Sequence, residues 1–342
     1  MEQLEGGLEL KALRWFLLFI FTFSNCQIGY ATTNVQDEEA INARRMELYK
    51  KAEAFTQIPW FYFAGMDQYE RSARRGRRDI PREQGSLSIY FEQGKWAGPL
   101  NPQPEDTNAA TILLFGGYGK DGDGDGKASV HNDEDIIMSV ASYLQSFGTS
   151  HEHIKMALWN YYRRAKAVDI IVGNAKLFEK YNRLNLHDKV FPVPLRSNYS
   201  YKNTWGDARG WGGRRIHEGT DIFADYGVPV RSTCYGIIEL KGWNRYGGWR
   251  IGIRDLNNVY HYFAHLSGFA KDLKVGQIVE PGMLIGGVGS SGYGPPGTSG
   301  KFPPHLHYGM YKDNGVTEWS FDPYPQLKMW ERTERLQLRK KK

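Results

Sequence analysis

Cysteine is nearly absent. The 342 residues contain two, Cys26 and Cys234. If the first 31 residues are removed in processing, one remains, which excludes an intrachain disulfide. Cys234 follows the strand-like run Val228–Thr233 and reads as a small buried apolar residue, not a nucleophile. Long apolar runs are also scarce. The stretch from Trp15 to Phe23 is too short for an easy membrane span. With Lys11 and Arg14 ahead of it and Gly29 and Ala31 near a cleavage point, residues 1–31 read as a signal peptide or, if uncleaved, an anchor. Membrane contact is expected only through that segment. No nucleic-acid motif accompanies the net charge of +6, so nucleic acid is not an expected partner. The charge suits an anionic wall polymer instead.

What is present points to two domains of different kinds. An apolar content of 41% with 14% aromatics is enough for globular cores. Residues 35–185 read as helical, with helices expected over Glu38–Gln57, Trp60–Arg71, Asp133–Phe147 and Glu152–Leu184. Pro59 stands where a helix start tolerates proline. Residues 186–200, with Phe191-Pro192-Val193-Pro194, read as a linker. Residues 201–325 read as an antiparallel sheet. Its strands are expected at Val228–Thr233, Gly236–Lys241, Trp249–Arg254, Val259–Ala264 and His307–Tyr311, with glycine-rich turns between them. Residues 326–342 read as a basic tail. The fold class is therefore α+β with two domains.

Five of the nine histidines fall between His217 and His307. In Pro304-His305-Leu306-His307 the two imidazoles are two residues apart, so a strand aims both at one face. Earlier comes His217-Glu218-Gly219-Thr220-Asp221. It is not the helical motif H-E-x-x-H, because Asp221 stands where the second histidine belongs and Gly219-Thr220 disfavours a helix. Imidazole and carboxylate are good ligands for zinc. His217, Asp221 and one histidine of the late pair would make three ligands with a fourth position open, the layout of a catalytic site. His261 and His265 share strand parity, so both could face the same groove, with His261 read as a neighbouring surface residue or one that supports the site.

These motifs in order, His217-x-x-x-Asp221, Tyr262-Phe263-Ala264-His265-Leu266, Gly286 to Gly292 and His305-x-His307, resemble the lysostaphin-type zinc endopeptidases, which cut peptidoglycan peptides. The similarity runs from about Asn203 to Tyr324. It implies a zinc peptidase sheet domain, one catalytic Zn²⁺ on His217, Asp221 and His307, and proton transfer by His265 and His305. Peptidoglycan is the implied partner. The full chain most resembles sporulation members of that group that cut the L-Ala–D-Glu bond of wall or spore cortex. The stretch Gly292 to Pro303 is longer than the group's usual spacing and reads as an insertion beside the groove.

In the helical half, Asp121-Gly122-Asp123-Gly124-Asp125-Gly126 matches the opening of a calcium loop. Asn132 stands where the closing glutamate is expected, and Asp135 could supply that carboxylate. The loop and the context of Glu70 resemble lytic transglycosylases, which implies a lysozyme-like helical domain, possible Ca²⁺, and Glu70 as an acid/base candidate. Arg71 beside it is expected to hold Glu70 ionised, which is wrong for a general acid. Glu70 therefore reads as a structural or glycan-binding residue, and the helical domain as the part that positions the enzyme on the wall. The alternatives are a transglycosylase working through Glu70 and a catalytically silent wall-binding or amidase-activating protein.

Overall fold

The computed structural model describes residues 37–81, 85–210 and 215–340. The expected export segment 1–31 lies outside the described residues, and among those described no helix is long and apolar enough to cross a membrane. The N-terminal half folds as α1 (37–56), α2 (Trp60–Arg74), α3 (Gln93–Ala97), α4 (Ala109–Leu114), α5 (Asp133–Gln145), α6 (His151–Tyr162) and α7 (Ala165–Tyr181). Pro59 precedes α2 with φ −55°. Asn132 and Ser150 cap α5 and α6 by accepting the backbone N–H of Glu134 and His153, which satisfies donors a helix leaves open. Helices α2 and α7 approach closely because Gly65 has no side chain. A Cβ there would lie 2.7 Å from the Ile171 carbonyl oxygen.

The single helix expected over Glu152–Leu184 is two. Arg163 adopts the left-handed conformation, φ 52°, and Arg164 is extended. No glycine or proline marks the break. It frees Arg164 to donate to Asp313 Oδ1 at 2.9 Å, a contact 149 residues away along the chain.

The second half is an antiparallel sheet. Its strands are β1 (Tyr199–Tyr201), β2 (Ala208–Arg209), β3 (Arg215–Ile216), β4 (Thr220–Ala224), β5 (Pro229–Arg231), β6 (Gly236–Asn244), β7 (Gly248–Asp255), β8 (Val259–Phe269), β9 (Ile278–Val279), β10 (Leu284–Val288), β11 (His305–Asp313) and β12 (Glu318–Phe321). The main order is β1-β4-β11-β8-β7-β6-β9, with β10 on β8 and β5, and β12 on β11; β2 and β3 pair separately. One face buries Ile222, Ile251, Ile253, Phe263, Leu306 and Tyr308. Alternation along each strand then puts the residues between them on the other face, where the groove lies.

Two stretches differ from expectation. Residues 186–200 are not a free linker: Phe191 and Val193 are fully buried in the sheet domain's core. The described part of the expected basic tail, residues 326–340, is helical, because Tyr324–Lys340 forms α8. Its Leu327 and Trp330 enter the same core. Its Glu331 accepts the hydroxyls of Tyr199 and Tyr201 at 2.7 and 2.6 Å. Apolar and acidic residues three and four apart share one helical face, so the basic residues are left outside. The helical half docks at the far end of β11 from His305, through Arg164–Asp313, Lys166–Glu318 at 2.7 Å, and Gln68 Nε2 donating to the Leu256 carbonyl at 2.9 Å.

Arg71 does not hold Glu70 ionised. Successive residues leave a helix about 100° apart, and Arg71 turns to Asp67 and to the Ser86 carbonyl. Glu70 is 7% exposed, and the Tyr162 hydroxyl donates to its Oε1 at 2.7 Å. Burial pushes the Glu70 carboxyl up to about 7 from an ordinary 4.5, against the Tyr162 hydrogen bond and the charge of Arg74. The folded chain therefore holds this proton more tightly than the unfolded chain. Stability should fall as pH rises from about 4.5 through 7, by a total of about 3 kcal/mol. Glu70→Gln keeps the shape and removes the titration. In denaturant melts its advantage over wild type should be near zero at pH 4 and approach that figure at pH 8.

Candidate metal centre and groove

The register of β4 against β11 places His307 opposite Asp221. His217, just ahead of β4, completes a cluster of ligand atoms. His217 Nε2 lies 3.1 Å from Asp221 Oδ1 and 2.9 Å from His307 Nδ1, and His307 Nδ1 lies 3.1 Å from Asp221 Oδ1. Four-coordinate zinc with bonds of about 2.0–2.1 Å sets neighbouring ligand atoms roughly 3.3 Å apart, so this triangle has the size and donor chemistry of such a centre. The His217 Nδ1–H donates to the Thr204 carbonyl at 2.7 Å, which leaves Nε2 free to bind a cation. Arg209 Nη2 donates to Asp221 Oδ2 at 2.8 Å, which leaves Oδ1 facing the two imidazoles. Burial alone would raise the Asp221 carboxyl, but its close contacts with His217 and His307 hold it far below the usual range. Burial lowers His307, so its imidazole is neutral, as a ligand must be. Gly219 is required here: a Cβ would lie 2.5 Å from the His307 ring.

His305 shares the open face with His307. Its Nε2 is 3.8 Å from Asp221 Oδ1, and its Nδ1–H donates to the Pro303 carbonyl at 2.9 Å. His265 lies beside it, with ring centroids 4.8 Å apart, and its Nδ1–H donates to the Ser291 carbonyl at 2.8 Å. Both rings thus present a free Nε2. Burial lowers both; with His305 and His307 nearby, His265 falls to about 3. Two neutral bases therefore stand next to the ligand triangle.

Strand parity does not place His265. It would put His265 on the core side with Phe263 and His261. Instead β8 carries an extra residue against β7 between Phe263 and Leu266, and His265 has φ 61°. This bulge re-aims the ring into the groove. His261 keeps its parity and, contrary to expectation, does not face the groove. It is fully buried, with Nδ1 2.6 Å from the Tyr308 hydroxyl and Nε2 3.2 Å from Asp255 Oδ2. Cys234 lies close enough to complete a ligand set with them, but the Lys189 ammonium is 2.9 Å from the same Asp255 oxygen. A cation already balances that carboxylate, and the group is a polar network within the core.

The groove over the metal triangle has a volume of about 1010 Å³. The sheet forms its floor, and Tyr293, Lys301, Phe302 and Pro303 from the expected insertion form one wall. The Phe302 ring is 4.7 Å from His265 and 5.0 Å from His305, which shields the two bases from solvent. Arg215 lines the groove, and Arg214 lies outside the described residues. Glu70 lines neither this groove nor the 550 Å³ cavity of the helical half.

In the acidic loop, ligand atoms of Asp121, Asp123 and Asp125 come within 4.8 Å of one another. Asp135 is not with them as the fourth carboxylate. Its Oδ1 and Oδ2 accept the backbone N–H groups of Gly122 and Ser129, both at 2.7 Å, so it ties the loop to α5. Asp121 and Asp123 likewise accept loop amides.

Residues 215–322 match Peptidase family M23. Over 318 residues the chain is 60% identical to the L-Ala–D-Glu endopeptidase of Bacillus subtilis (strain 168), which spans 93% of this chain and 96% of that protein. It is 37% identical over 114 residues to the glycyl-glycine endopeptidase ALE-1 of Staphylococcus capitis, covering 33% of this chain and 29% of that protein. Among solved structures, the catalytic domain of the antimicrobial peptidase lysostaphin from Staphylococcus simulans aligns with a TM-score of 0.31 and 33% identity, covering 38% of this chain and 93% of that domain.

Proposed function

The chain belongs to peptidase family M23, and we propose that it is a zinc-dependent endopeptidase that hydrolyses peptidoglycan stem peptides at the L-Ala–D-Glu bond. The observation that carries this reading is the triangle of His217, Asp221 and His307 beside two neutral, unliganded imidazoles. Its donor set suits Zn²⁺. Bound there, zinc supplies Lewis acidity to the scissile carbonyl and to the attacking water.

The remaining chemistry belongs to the chain's own side chains. Nε2 of His305 or His265 accepts the water's proton. The resulting imidazolium donates to the developing oxyanion and then protonates the leaving amine. Backbone carbonyls at Nδ1 of each ring fix the tautomer this requires. The Phe302 ring packs against both bases and covers one side of them.

The whole-length similarity to an L-Ala–D-Glu endopeptidase supports that bond. It also supports action outside the cytoplasmic membrane, on wall or spore cortex, after export through residues 1–31. The helical half, which resembles a lysozyme-like domain in sequence, then serves to position the groove on the wall. The test is digestion of purified peptidoglycan followed by mass spectrometry of the products. New L-Ala carboxyl ends paired with D-Glu amino ends are expected. Anhydro-sugars would instead point to Glu70 and the helical half, and cleavage at D-Ala would refute the assigned bond.

A further inference from the structure

Among the described residues that line the groove, Arg250 is a cation whose charge no carboxylate balances. On β7, Arg250, Gly252 and Arg254 alternate with the core residues Ile251 and Ile253 and so face the groove side. Arg254 is fully committed: Glu239 accepts from its Nε at 2.7 Å and Glu318 from its Nη2 at 2.8 Å. Arg250 has no such carboxylate among the described residues. Its Nε is buried without a hydrogen-bond partner, and its guanidinium lies against the Tyr262 hydroxyl. The other described cations lining the groove have no such unsatisfied buried nitrogen. Arg209 is held by Asp221, Arg215 donates to the Tyr293 hydroxyl at 3.3 Å, and Lys301 donates to the Tyr293 carbonyl at 2.7 Å.

Sheet register fixes where this free charge stands. Asp221 on β4 pairs with His307 on β11, and His307 pairs with Ala264 on β8. On the next strand, β7, Trp249 pairs with Leu266 and Ile251 with Phe263, so Arg250 stands beside the bulge that holds Ala264. Asp221, His307, Ala264 and Arg250 form a row across four strands, all lining one groove. Ala264 is the small member, and it leaves open floor between the metal ligands and the guanidinium. Two strand spacings put the Arg250 backbone roughly 10 Å from His307. An arginine arm reaching back over Ala264 would stand within reach of a substrate group next to the bond held at the metal ligands.

We propose that Arg250 is a specificity-determining residue that binds the carboxylate of the substrate residue whose amine is released. This rests on the L-Ala–D-Glu assignment above. A D-Glu residue that continues the chain through one carboxyl group keeps the other ionised. A planar guanidinium lacking a carboxylate partner is suited to bind such a group through two hydrogen bonds.

The test compares two synthetic stem peptides, one with D-Glu after L-Ala and one with D-Gln, which has the same shape without the charge. Wild type is expected to favour the D-Glu peptide in kcat/KM by about 10²-fold. Arg250→Gln should lower kcat/KM on the D-Glu peptide by a similar factor, mainly through KM, and bring the ratio between the two peptides close to one. Arg250→Lys should restore part of the preference. Zinc content of each variant shows whether the metal centre has survived. A ratio that Arg250→Gln leaves unchanged, or equal losses on both peptides, overturns the role of Arg250 alone. Wild type that cuts neither peptide overturns the bond assignment, and the Arg250 role with it.

Discussion

Replacing Asp221 by alanine removes zinc and peptidoglycan cleavage together, with activity falling by at least about 10³-fold. The same result is expected for His217→Ala and His307→Ala. Each ligand is fixed by a partner outside the triangle or by the sheet itself: His217 by the Thr204 carbonyl, Asp221 by Arg209, and His307 by its register with Asp221 and Ala264. Among the described residues, no fourth carboxylate or imidazole joins this cluster of ligand atoms. Zinc content by elemental analysis, measured beside turnover on purified wall, checks the pairing. A variant that loses turnover while retaining full zinc would not be a ligand.

His305→Ala and His265→Ala should behave in the opposite way. Both keep zinc and fold, and both lose turnover by roughly 10²–10⁴-fold, the range expected when a positioned acid/base is removed. The two rings sit 4.8 Å apart and serve successive proton transfers. The double variant should therefore fall little further than the worse single variant. Normal kcat with zinc retained in either variant would remove that histidine from the proposed mechanism.

The parts of this site that were legible in the sequence are those set by short-range geometry. His305 and His307 on one face follow from the two-residue period of a strand. The Gly219-Thr220 pair between His217 and Asp221 follows from what a helix does not accept. What was not legible depends on long-range pairing or on a break in period. The bulge at Ala264–His265 has no glycine to announce it, so parity alone placed His261 and His265 together, whereas the structure separates them onto opposite faces. The break between α6 and α7 is likewise unmarked, since what it serves, the contact of Arg164 with Asp313, is distant in the chain. Arg209 carried no local signal, since its meaning is its contact with Asp221. Helix α8 was readable in principle. Leu327, Trp330, Glu331 and Glu334 share a face, but the surrounding lysines and arginines dominate the composition and suggested a tail.

The helical half is where sequence resemblance and structure diverge most. The local motif around Glu70 pointed to a glycan-cleaving acid, and Arg71 argued against one. The structure removes that objection, since Arg71 faces Asp67, and supplies a different one: Glu70 is sealed beneath Tyr162 and opens into neither cavity. A carboxyl in that position is neutral and costs little at acid pH, and its ionised form destabilises the fold above neutrality, a consequence of its burial.

The most direct measurement is anomalous diffraction at the zinc absorption edge from crystals of the purified full chain. The account predicts a peak bonded to His217 Nε2, Asp221 Oδ1 and His307 Nδ1, with His265 and His305 nearby but unbonded. A peak held by His305 or His265, or none at this triangle in active protein, would contradict it.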